Sequence, residues 1–236
     1  MDVIGDLVAR DRRSEAIAVR VASRAGSYSY EKYCTISWKA GNLLRHYGVR
    51  DDATVAVDAG DGTSPPPYVT LMGASLLGAT VQFDPGAGLS AETKALLVPA
   101  DRIEAYDPDP GVQVLAYGDT VDDPTVSHFE REVWSENPTA PPDVVAPDQR
   151  ALVTADGSHS HAELLDAAES VVTEYDLDAD ASVAVRAPLA RPGTVAAGVL
   201  APLLAGGEIL LDRETTGSVA VGDGPEERTI DPNTVL

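Results

Sequence analysis

The chain has 236 residues, enough for one large or two modest domains, and its 38 acidic against 17 basic side chains leave a formal net charge of −21. With 44% hydrophobic residues this is a globular composition, not a disordered one. The acids are dispersed along the chain, so the charge reads as a coat that keeps the protein soluble in concentrated salt; a basic partner is the alternative reading. Lysine is scarce (Lys32, Lys39 and Lys94) and no Lys/Arg cluster is present, which argues against nucleic acid. The lone Cys34 rules out an internal disulfide framework. Asp2, Asp6 and Asp11 interrupt any leader pattern, and the apolar run 194–204 is short of the ~20 residues of a membrane span. The expectation is a cytoplasmic protein without membrane contact.

Residues 16–21 read as a strand ended by the turn Ser23-Arg24-Ala25-Gly26. Ser29 is placed to cap a helix, with Glu31 favourable at its positive end and apolar residues from Ile36 to Tyr47 before Gly48. A strand at 54–58 precedes a helix started by Pro65-Pro66-Pro67, in which Gly73, Ala74 and Gly78 would allow close packing on a sheet. A third strand follows at 80–83. Further strands are expected at 94–98 and 113–115, and a short amphipathic helix at 127–134. The Pro-rich stretch 137–143 is a connector. Beyond it come a strand at 150–154, the turn Ala155-Asp156-Gly157, and a capping box, Ser160 with Glu163, opening a helix to about Tyr175. A strand at 182–186, a helix of small residues at 193–204 and a strand at 208–211 complete the plan. The tail adds strands at 218–221 and 228–230 around the turn Gly222-Asp223-Gly224-Pro225.

These two series are one unit written twice. Residues 36–84 match 164–212 at a constant offset of 128: Ile36, Ala40, Leu43, Leu44 and Tyr47 fall on Leu164, Ala168, Val171, Val172 and Tyr175, and Val55-Ala56-Val57 on Val183-Ala184-Val185. Helical links between strands imply parallel pairing. The expected fold is α/β, with two similar doubly wound, mainly parallel subdomains about a pseudo-twofold: residues 1–136, a connector at 137–147, and 148–236.

The arrangement resembles the N-terminal region of the AMP-forming acyl-CoA synthetase (adenylate-forming) superfamily. Ser27-Tyr28-Ser29-Tyr30-Glu31 is similar to the family's Thr-Tyr-x-Glu-Leu entry, and Leu76-Leu77-Gly78-Ala79 to its Gly-Ala motif. Ser160-His161-x-x-Leu164-Leu165 resembles the Thr-His-x-x-Leu-Leu that follows the family's phosphate loop. That loop is Ser/Thr/Gly-rich and ends in Pro-Lys-Gly. Here residues 154–160 stand in its place, about half a dozen residues too short, without a lysine and with Asp156. Cradling phosphates takes small residues whose amides converge and a cation, so the resemblance implies a lost triphosphate grip. The family's aromatic-His after Pro-Leu is Ala190-Arg191 here. Its acidic magnesium ligand, ribose-binding aspartate and lysine domain are not recognisable.

The implied function is a degenerate, truncated relative without adenylation activity, binding a small ligand or a protein in the cleft between subdomains. The alternatives are a residual or split synthetase completed by a partner chain, and a structural subunit that forms homo-oligomers. No catalytic residue, metal or cofactor is expected; ATP or AMP, Mg and CoA enter only if residual activity persists. Candidate ligand contacts are Thr154, Gly157, Ser158, His159 and His161 around the shortened loop, and Arg186 and Arg191 at the carboxyl edge of the second sheet, where α/β sheets bind ligands. Each has a plainer reading. The two arginines can pair with surrounding acids. His161 can be a helix-start residue touching solvent or a loop. His159, His161 and Asp156 are too few for a metal site. Cys34 with His46 lacks any activating context, and Asp58–Thr63 is an acidic turn without the ligand pattern of a calcium loop.

Overall fold

The computed structural model describes residues 1–23, 26–86, 88–155 and 157–236. Arg24, Ala25 and Asp156, each part of a turn expected from the sequence, lie outside them. In chain order the elements are β1 (Ile17–Arg20), β2 (Tyr28–Ser29), α1 (Tyr30–His46), β3 (Thr54–Val57), α2 (Pro66–Ser75), β4 (Thr80–Phe83), β5 (Thr93–Pro99), β6 (Gln113–Tyr117), β7 (Ser127–His128) and α3 (Phe129–Ser135). Then come β8 (Arg150–Thr154), β9 (Gly157–Ser160), α4 (His161–Glu174), β10 (Ser182–Val185), α5, β11 (Glu208–Leu210), β12 (Val219–Val221) and β13 (Thr229–Ile230). Helix α5 runs through Pro192–Val195, a π segment Ala196–Leu200, and Ala201–Ala205. Pro202 has no N–H for the carbonyl four residues back, and Ala201 N–H reaches back five residues to Ala196 instead.

Among the described residues the strands form two sheets, ordered β7-β6-β5-β3-β4-β8-β9 and β13-β12-β10-β11-β1-β2. All pairings are parallel except the hairpins β1–β2 and β8–β9. The duplication is visible in the register: Thr54 faces Thr80 and Val55 faces Val81, while Ser182 faces Glu208 and Val183 faces Ile209, the same pairs moved by 128. The helix ends repeat too. Val49 N–H donates to the Leu44 carbonyl and Leu177 N–H to that of Val172. Gly78 and its equivalent Gly206 both end their helices at positive φ, +68° and +84°. Helix α4 starts three residues later in the unit than α1 does, and each is capped by a serine: Lys32 N–H donates to Ser29 Oγ and Glu163 N–H to Ser160 Oγ.

The sheet pairings cross the 137–147 connector. Strand β1 adds to β11, and β8 adds to β4, so each half closes the other half's sheet with an antiparallel hairpin. An open edge at β4 or β11 would expose a row of unpaired N–H and C=O groups, and the exchanged hairpins cover both. The core is shared as well. Val55 and Val57, with Val183 and Val185, face one continuous cluster that contains the four long helices, while Ala56 and Ala184 face small outer clusters. Gly73 serves a different contact from the sheet packing expected of it. A Cβ there would lie 2.8 Å from the Gly41 nitrogen, so it is the α1–α2 crossing that needs the glycine. Among the described residues no helix is long and apolar enough to cross a membrane.

Candidate functional site

The residues that stand where a phosphate loop would be are a β-hairpin. Thr154 pairs with Gly157, Val153 with Ser158 and Leu152 with His159, so the chain turns back at once. Thr154 Oγ1 donates to the Gly157 carbonyl across the turn at 3.3 Å. Ser158 is exposed and His159 half-exposed. The described residues of this segment lie in extended, paired strands, a geometry in which successive amides point to opposite sides and do not converge on one point. Ser160 N–H donates to Glu163 at 2.8 Å, and this backbone bond, with that of the Ser160 hydroxyl, holds the Glu163 carboxyl below its ordinary pKa.

Of the two surroundings the sequence left open for His161 at the helix start, solvent or a neighbouring loop, the structure shows the second. His161 is wholly buried (0% exposed), beneath the N-terminal 3-10 turn Ile4–Val8, and its Nδ1 accepts the Ile4 N–H at 3.3 Å. Burial pushes its pKa down to about 4, with Asp6 acting weakly the other way. The imidazole is therefore neutral at physiological pH, with the proton on Nε2. No cluster of metal-ligating side chains is present among the described residues. Cys34 is buried as well, and burial raises its thiol to about 11, which removes the thiolate that a nucleophile needs.

At the carboxyl edges of the sheets, the repeat places an acid and a base on equivalent positions. Asp58 follows β3 and Arg186 follows β10, 128 residues on. Each is paired inside its own half, with opposite polarity. The fully buried Asp58 (0% exposed) accepts from Arg102 at 2.9 Å, from Tyr106 Oη at 2.8 Å and from Gly60 N–H at 2.9 Å. Arg186 donates through Nη2 to Glu226 at 2.6 Å, through Nε to the same oxygen, and to the carbonyls of Asp212 and Thr215. Burial of Glu226 favours its neutral form, but Arg186 and the Gly217 amide outweigh it and its pKa is lowered. Both charges are neutralised by partners within their own half, and four of the five N–H donors of Arg186 are already engaged.

The cleft between the two edges is small. It encloses about 240 Å³ beside Gly60, Asp61, Asp84, Arg186 and Arg213, and Arg213 donates across it to the Asp61 carbonyl at 2.5 Å. Small-molecule sites usually take about 300–1,000 Å³. Partial burial raises the pKa of Asp84, with the nearby Asp58 charge adding to it, although Asp84 still reaches solvent. Arg191 is exposed at the start of α5, beside a cavity of about 390 Å³ that also touches Asp223, Asp231 and Asn233. Thus Arg186 and Arg191 share one cavity, Thr154, Gly157, Ser158 and His159 belong to a hairpin on the edge of the other sheet, and His161 is buried at the start of α4; the seven candidates do not converge.

A larger cavity lies elsewhere, about 750 Å³ between α1, α3 and the start of α2, with Lys32, Lys39 and Trp134 on its walls. Sequence reading marked none of these three. The available signal was that two of the three lysines fall seven residues apart on one helix.

Solved structures of adenylate-forming ligases share this fold. A structure of the anthranilate CoA ligase AuaEII in complex with anthranoyl-AMP matches with a TM-score of 0.76 at 14% identity, covering 92% of this chain and 49% of that one. A benzoate CoA ligase from Burkholderia xenovorans LB400 matches at 0.73 and 17% identity, covering 94% and 50%. The N-terminal domain of FACL13 from Mycobacterium tuberculosis matches at 0.71 and 15%, covering 90% and 57%. The chain spans about half the length of these proteins. No protein-family model and no curated protein sequence matches it. The fold is α/β with two parallel-dominated sheets and matches that of the N-terminal domain of adenylate-forming enzymes.

Proposed function

We propose that this protein is a non-adenylating derivative of the adenylate-forming ligase fold that acts by binding. The hairpin β8–β9 carries the reading: paired strands that bring Thr154 opposite Gly157 occupy the segment that must cradle a triphosphate, and residues 154–160 include no Lys or Arg. The commitment of Arg186 to Glu226 and the narrow inter-sheet cleft support it, because a nucleotide there would have to break a buried ion pair and open the Arg213–Asp61 contact. Calorimetric titration of ATP and AMP, with and without Mg²⁺ in molar KCl, is expected to release no binding heat, and ATP–pyrophosphate exchange with a panel of carboxylates to stay blank. Micromolar nucleotide binding overturns the proposal. Exchange that appears only when a second chain is added points instead to a split synthetase.

A further inference from the structure

We propose that the trough between α1 and α3 binds an anionic amphiphile, an apolar or aromatic body carrying one carboxylate or phosphate headgroup. Its volume, about 750 Å³, lies within the range of small-molecule sites. The walls are apolar, from Ile36, Val69, Phe129 and Val133. Trp134 forms one side and is 83% exposed, a large aromatic surface left to water in a chain that has only two tryptophans.

The charges at the rim select the sign of the ligand. Lys32 and Lys39 lie seven residues apart on α1 and both line the trough. In a chain with more than two acids per base, neither has a carboxylate within ion-pair reach among the described residues. The Lys32 ammonium sits 3.8 Å from the Tyr28 ring centre, and burial lowers its pKa. Lys39 donates to the Trp134 carbonyl at 2.6 Å and lies 5.6 Å from the Trp134 ring. The two acids at the rim have other partners: Glu31 pairs with Arg13, a third cation on the trough wall, at 2.6 Å, and Glu130 accepts from the Gly118 amide at 3.0 Å and lies 3.5 Å from His128. Two ammonium groups that no carboxylate neutralises, set over aromatic rings at the mouth of an apolar trough, fit an anion attached to a hydrocarbon. The net charge of the chain opposes such a ligand at long range, but molar salt shortens that field to ~3 Å and leaves the contacts at the trough intact.

The test uses the full chain in molar KCl, with octanoate, octyl phosphate and the neutral octanamide, read by Trp134 fluorescence and by calorimetry. Octanoate or octyl phosphate is expected to shift the Trp134 emission to the blue and to bind at least about tenfold more tightly than octanamide, about 1.4 kcal/mol. The tighter of the two anions identifies the headgroup. The double variant Lys32→Gln/Lys39→Gln, whose melting curve checks that it is folded, should lose that preference while binding octanamide unchanged. Equal affinity for anion and amide, an unchanged preference in the double variant, or no emission shift with any of the three overturns the proposal. None of these readouts involves a nucleotide, so failure here is separable from failure of the non-adenylating reading.

Discussion

Acid should loosen this protein through His161 before it titrates most of the carboxylates. In the fold the imidazole is buried, its pKa is about 4, and in an unfolded chain it returns to 6.5. The unfolded state therefore binds the proton more readily. The stability that neutral His161 confers is present in full above about pH 7, begins to fall as pH drops through 6.5, and is gone near pH 4. A difference of about 2.5 pH units corresponds to ~3 kcal/mol in total, of which about 2 kcal/mol is lost between pH 7 and pH 5. Protonation also turns Nδ1 from acceptor to donor and strands the Ile4 N–H, so the Ile4–Val8 turn should be the first segment to open. In His161→Asn, an amide oxygen placed near Nδ1 keeps that acceptor and cannot titrate. Urea midpoints measured from pH 7 to pH 5 in constant salt should fall for the natural chain by about 2 kcal/mol more than for the variant, because the carboxylate contribution is common to both. Parallel curves, or a His161 ring proton that titrates near 6.5 by NMR, would show the burial argument to be wrong.

Glu226→Gln leaves the Arg186 guanidinium buried (side chain 4% exposed) without its counter-charge and should cost about 3 kcal/mol by urea melt, whereas the same change at the exposed Glu227 should be close to neutral. Asp176 sits at positive φ (+49°) in the position where the first copy has Gly48, so Asp176→Gly is expected to raise the urea midpoint by about 1 kcal/mol; an unchanged or lower midpoint goes against the strain argument. If the acidic coat is a salt adaptation, as we propose, the thermal midpoint climbs between 0.1 M and about 1 M KCl, where the screening length shrinks from ~10 to ~3 Å. A flat profile by calorimetry removes that proposal.

Much of the local structure was readable beforehand because it rests on short-range chemistry. Ser29 and Ser160 cap helices since a hydroxyl beside free amides is enough. The offset of 128 survives in the strand register because side chains that alternate across a sheet tolerate no one-residue slip. The candidate site was less legible. Arg186 follows β10 and Arg191 precedes α5, but the partner of Arg186 lies forty residues on, in a turn where Glu226 looks like any other surface acid. For His161 the sequence leaves solvent or a neighbouring loop open, and only the tertiary contact with the apolar positions Ile4, Leu7 and Val8 decides for the loop. Lys32, Lys39 and Trp134 come together only when α3 lies beside α1, about a hundred residues away in the chain.

Helix caps, strand periodicity, the duplicated unit and the shortness of the segment before His161 all follow from contacts a few residues long, and the amino-acid order is sufficient for those. Which strand closes which sheet is another matter. Strands β1 and β8 each carry an apolar pattern that suits either sheet, and parallel partners are chosen across long crossovers by whichever open edge the packed helices leave within reach. Folding exchanged the two hairpins, set the buried Asp58 and Arg186 pairs at mirrored positions, and opened the trough on α1, because burial and charge pairing are properties of neighbours in space.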